Sequence, residues 1–216
     1  RIPNHRLHVV GSPRFDLRLA RHRAQSKTES RSKISEVVPN LSPADRLLYF
    51  ASQPIDDGGV LSVLGLVIAG IQLIDAHDIR LLVGLHPNEG LSRLDLYEQA
   101  LAHVPFSWSV RRSLPAYDVI NASDAVLTYF STVGLEARAL GRPVGALNPF
   151  GLPAPYDLVD GADATRIETP GEFEQFLAAI FDGSFDSTPP SFLSEGASTR
   201  IIDLINAHAP KKERVP

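Results

Sequence analysis

LLVGLHPNEG (81–90) and VLTYFSTVGLEARALGRPV (126–144) decide the fold. Each begins as an apolar, strand-like run, breaks into a polar loop and continues in a helical pattern. In an open α/β sheet, the loops at the carboxyl ends of the strands form the ligand crevice. The first loop offers His86, kept out of the helical region by Pro87. The second offers Ser131, Thr132 and Gly134 at a helix start, where N–H groups and the helix dipole favour an anion. Glu136 follows one turn later. It lies five residues after Ser131 and four after Thr132, which does not match a capping box. On the loop side of the helix it suits a ribose diol, while the loop holds phosphate. Together these residues predict a nucleotide or nucleotide-sugar site.

The same alternation extends in both directions. Strands are expected at 46–51, 79–85, 106–110, 124–130 and 143–147, with helices at 59–74, 91–103, 113–121 and 132–140 between them. Gly141 is the expected C-cap of the last of these helices. Strands separated by such segments imply βαβ units: an α/β, Rossmann-like, doubly wound parallel sheet with helices on both faces. After residue 155 a short strand near 165–168, an amphipathic helix carrying Phe173, Phe176, Leu177 and Ile180, and a last helix at 191–208 are expected. Upstream, RLHVV (6–10) reads as a strand and 14–33 as one basic, solvated helix. The division is then 1–43 as hinge strand and basic linker helix, 44–183 as the nucleotide-binding domain, and 184–216 as a crossover helix and tail.

Composition narrows the class. The 216 residues suit one well-cored domain, and 44% hydrophobic with 21% charged content is that of a globular chain. A net charge of -4 argues against nucleic acid as partner. Zero cysteines exclude disulfides and thiolate metal sites, and fit a cytoplasmic setting. Position 1 is Arg and Met is absent, so the chain is expected to be a piece lacking an N-terminal part. The uncharged run at 58–74 is shorter than the roughly 18–20 residues of a spanning helix and reads as a helix buried against the sheet. The basic stretch 14–33 leaves open peripheral contact with the inner face of a membrane.

Other candidates are weaker. Gly58 and Gly59 could offer amides to a ligand, although Asp56 and Asp57 beside them read more simply as an acidic first helical turn. Arg111 and Arg112 follow a strand on the crevice edge, and either guanidinium suits a phosphate; Arg111 is the one expected at the site. Asp75, His77 and Asp78 resemble metal ligands in type only, and no metal site is expected.

With these residues in hand, the chain resembles the C-terminal, nucleotide-binding half of GT-B glycosyltransferases. The similarity is to bacterial surface-polysaccharide enzymes, including capsule and polysialic-acid-type transferases and CDP-glycerol glycerophosphotransferases. The matching features run over about residues 9–180. They are Gly11-Ser12-Pro13-Arg14-Phe15-Asp16, Ala51-Ser52-Gln53-Pro54, His86-Pro87, the run Ala122–Thr128 leading to Ser131-Thr132 and Glu136, and Gly141-Arg142-Pro143-Val144. The resemblance implies a CMP-, CDP- or UDP-linked sugar as substrate, with no cofactor. His86, Ser131 and Thr132 would then contact phosphate, and Glu136 the ribose. It also implies a glycan acceptor, bound with the catalytic base on an N-terminal domain absent from this chain, so that the chain alone binds without turnover. Tyr129 and Phe130 stand where CDP-glycerol enzymes carry an acid and a tyrosine. Thr132, Val133 and Ala137 depart from the pattern of the related UDP-N-acetylglucosamine 2-epimerases. A phosphotransferase, an epimerase and a non-catalytic binding module are the alternatives.

Overall fold

The structure, a computed structural model, describes residues 3, 6–74, 77–151, 164–189 and 196–208. Six strands form one parallel sheet: β1 (Arg46–Ala51), β2 (Ile79–Gly84), β3 (Ser107–Arg111), β4 (Ala125–Thr128), β5 (Val144–Leu147) and β6 (Thr165–Ile167). Their order is β3-β2-β1-β4-β5-β6. The chain winds outward from β1 to β3, returns to place β4 against the other side of β1, and winds outward again. The reversal lies between β1 and β4, with Leu48 opposite Ala125 and Ala51 opposite Thr128. This is the switch point at which doubly wound sheets bind ligands.

Side chains alternate across each strand, and each face of the sheet has its own core. Leu48, Phe50, Leu81, Val83, Ala125 and Leu127 pack under α3 (Asp57–Leu73), α4 (Ser92–Leu101) and α7 (Pro170–Phe181). Leu47, Tyr49, Ala51, Leu82, Val126 and Val144 face α5 (Ala116–Ala122) and α6 (Val133–Ala139). Asp56 caps α3 by accepting the Gly59 N–H at 2.9 Å, so the acidic start of this helix is a cap. Gly70 lets α3 approach α7: a Cβ there would lie 2.4 Å from the Phe173 ring. Gly141 ends α6 in the left-handed region at φ 70°, as its place before Pro143 predicts.

The N-terminal segment corrects the reading from sequence. Residues 7–10 form no strand, and Val9 is 84% exposed. The basic stretch is two helices, α1 (Pro13–Arg23) and α2 (Lys27–Lys33), broken at Ser26, whose hydroxyl and Glu29 form a capping box. They are not a solvated linker. Leu19, Ile34 and Val38 are buried in the second core. The Asn121 amide of α5 donates to the carbonyls of His22 (3.1 Å) and Gln25 (2.9 Å). Asp124, at the start of β4, receives Lys27, the Arg31 guanidinium at 2.9 Å and the Leu47 N–H at 2.8 Å. Of the last helix, α8 (Ala197–His208) is described. It is capped from α1: Asp16 accepts the N–H groups of Gly196, Ala197 and Ser198 at 2.9, 3.0 and 2.8 Å. Among the described residues no helix is long and apolar enough to cross a membrane.

Candidate functional site

A cavity of about 480 Å³ opens at the carboxyl ends of β1, β2, β3 and β4. That volume is within the usual range for small-molecule sites. His86, Ser131, Thr132 and Glu136, which come from two loops and a helix, all line it. Tyr49, Ser52, Gly84, Arg112, Ser113 and Leu114 complete much of the wall.

His86 follows β2 in a turn closed by the Glu89 N–H, which donates to the His86 carbonyl at 2.9 Å. Its own N–H donates to the Glu89 carboxylate at 2.7 Å and to Ser52 Oγ at 3.1 Å. The Asn88 N–H donates to His86 Nδ1 at 3.1 Å. The neutral ring therefore carries its proton on Nε2, the tautomer that donates to an acceptor.

Ser131 follows β4. Its N–H donates to Thr128 Oγ1 at 3.1 Å, while its carbonyl accepts the Gly134 N–H (3.0 Å) and its hydroxyl oxygen the Val133 N–H (3.2 Å). The N–H groups of Ser131, Val133 and Gly134 are thus occupied within the turn. Gly134 is buried beneath them and does not line the cavity. Glu136 does, although only 4% exposed. Its carboxylate faces the phenol of Tyr49, which burial and then this charge push up to about 12. Tyr49 is held there by Gly84, where a Cβ would come within 2.7 Å of the ring.

Two further expected residues lie elsewhere. Gly58 is in the exposed first turn of α3, outside the lining. Arg111 is the last residue of β3 and donates to the Val110 carbonyl at 2.8 Å. Its neighbour Arg112 points the other way and lines the cavity, bonded to the Pro87 carbonyl at 3.2 Å. Ser113 has φ 58°, a costly conformation for a residue with a Cβ, on the cavity wall. Asp75 lies outside the described residues, and Asp78 pairs with Arg46 at 3.0 Å. The sequence reading missed Tyr49 and Glu89. Glu89 is 3% exposed, and burial followed by its charge raises the pKa of the Tyr97 hydroxyl beside it. A charged residue three after His86 was the available signal.

No protein-family profile and no curated protein matches the chain. Solved structures do resemble it. One is the UDP-GlcNAc 2-epimerase of Neisseria meningitidis bound to UDP-GlcNAc: 15% identity, TM-score 0.68, 96% of this chain and 57% of the other. Another is the wall teichoic acid polymerase TagF with CDPG: 18% identity, TM-score 0.52, 95% and 51%. A third is a glycosyltransferase of Rickettsia africae: 11% identity, TM-score 0.61, 88% and 50%. The chain spans about half the length of these structures. Its six-stranded parallel sheet, with helices on both faces, is the Rossmann-like fold that they share, that of a GT-B-type domain.

Proposed function

We propose that this chain binds the nucleotide-sugar donor of a glycosyltransferase in surface-polysaccharide synthesis. The phosphates are held by His86 Nε2–H and the hydroxyls of Ser131 and Thr132, and the ribose diol by the Glu136 carboxylate. The observation that carries this reading is the convergence of these four residues, from separate strand ends, on one cavity at the switch point. The epimerase and TagF structures hold UDP-GlcNAc and CDPG, which favours a nucleotide-linked ligand. Donors fixed in advance at a leaving phosphate lower a transfer barrier without reorganisation.

Turnover in this reading needs a second domain that brings the glycan acceptor and the catalytic base. Exposed apolar side chains on two segments, Leu7 (57%) and Val9 (84%) on one and Ile202 (56%) and Ile205 (60%) on the other, would suit such a neighbour. Calorimetric titration with CMP, CDP, UDP and their sugars tests the proposal. Saturable binding that disappears in Glu136→Ala is expected, and no binding at millimolar concentration would overturn it. Cytidine preference points to the polysialic or glycerol-phosphate branch, and uridine preference to hexosaminyl transfer or epimerisation.

A further inference from the structure

Glu89 is buried as deeply as much of the core, at 3% exposed, and it does not line the cavity. Its Oε1 is buried with no hydrogen-bond partner, a costly placement for a carboxylate. What this side chain holds is gathered on the other oxygen. Oε2 accepts the His86 N–H at 2.7 Å and the Ser52 O–H. In return, the Glu89 N–H donates to the His86 carbonyl at 2.9 Å.

These bonds clamp His86 at both its N–H and its carbonyl. Between the two residues, Pro87 has no N–H to give, and the Asn88 N–H is committed to His86 Nδ1 at 3.1 Å. Ser52 directly follows β1, is 2% exposed, and donates its own N–H to the Gly84 carbonyl of β2 at 3.0 Å. Through Glu89 Oε2 the His86 loop is therefore tied to the end of β1, beside the switch point. The carboxylate sets where the His86 backbone sits, and the Asn88 bond sets how its ring is turned. Site residues deliver their chemistry only when such supporting bonds hold them in place.

We propose that Glu89 is the positioning residue of this site: it touches no ligand, and it contributes to phosphate binding through His86, by fixing the loop from which Nε2–H is presented. This rests on the nucleotide-sugar reading above and adds a residue that the cavity wall does not contain.

The test is a double-mutant cycle on the full 216-residue chain, titrated with UDP and with CDP. Glu89→Ala is expected to weaken the diphosphate by about 5- to 10-fold, the worth of one hydrogen bond. In the His86→Ala background the same change should cost less than about twofold, because the ring through which Glu89 acts is gone. Equal losses in both backgrounds, as a merely structural role gives, or loss in neither, overturn the inference. Glu89→Gln keeps the reach and an accepting oxygen, and should bind within about twofold of the parent; a loss as large as that of Glu89→Ala overturns it too. Should Glu89→Ala fail to fold, Glu89→Asp, one carbon shorter, carries the same cycle with the same expectation. A further arm needs no variant. The His86 amide should be protected from hydrogen exchange in the ligand-free chain, and free exchange there also sinks the inference. A chain that binds no nucleoside diphosphate at all overturns the functional reading together with this one. Diphosphate binding that depends on His86 without coupling to Glu89 overturns this one alone.

Discussion

The Asn88 backbone N–H donates to His86 Nδ1 at 3.1 Å, and that bond decides which nitrogen of the ring carries the proton. With Nε2 protonated, His86 serves an anion as a donor even when neutral. His86→Ala should therefore weaken binding of a nucleoside diphosphate by roughly 10- to 100-fold, the range for a hydrogen bond to a charged group. Calorimetry measures it, with thermal denaturation as a check on folding. Unchanged affinity would remove His86 from the phosphate site.

Asp124 joins three elements by accepting from Lys27, Arg31 and the Leu47 N–H. Burial pulls the Lys27 ammonium down in pKa, and Asp124 counters that pull. Asp124→Ala would leave two partly buried cations without this counter-charge. A loss of about 1–3 kcal/mol in urea denaturation is expected. A loss below about 0.5 kcal/mol, typical of a surface change, would mean that α2 does not depend on this carboxylate.

Gly70 meets the ring of Phe173 where α3 crosses α7. Gly70→Ala would improve helix propensity, yet the added carbon has no room. Overpacking should prevail and cost about 1–3 kcal/mol. If the variant proves more stable than the parent in denaturant, the two helices are further apart than described.

Asp16 ties α1 to α8. Its pKa falls from the ordinary 3.8 to about 2, first through the Ser198 hydroxyl and backbone N–H, then through the Ala197 and Gly196 amides. A carboxylate depressed by folding contributes its full stabilisation above the unfolded value and loses it as pH falls through the folded one. Hydrogen-exchange protection of the Gly196, Ala197 and Ser198 amides should therefore hold above pH 3.8 and decline toward pH 2. In Asp16→Ala that protection should already be low at neutral pH. Protection in the parent that does not change over this window would count against the cap.

β1, β2, β4 and β5 were legible because each is an apolar run closed by a polar loop. That His86, Ser131 and Glu136 would lie together beside one cavity was legible as well, since such sheets form their crevice at the strand ends. The N-terminal segment was misread. The RLHVV run has strand-like residues but pairs with no strand among the described residues, and β propensity without a partner makes no strand. The break between α1 and α2 was written in Ser26-Lys27-Thr28-Glu29, a capping-box spacing inside a basic run whose charge drew the reading to solvent. The choice of Arg112 over Arg111 depends on which face the last residue of β3 presents, which spacing alone does not reveal. The Ser52–Glu89 bond was out of reach because it joins residues 37 apart in sequence, brought together by the pairing of β1 with β2.

Ser131 holds its own turn, with its carbonyl on the Gly134 N–H and its hydroxyl on the Val133 N–H. This part of the crevice floor is consequently assembled before any guest arrives. Association then carries little ordering entropy there, so encounter needs no slow rearrangement, and complexes should differ mainly in how long they last.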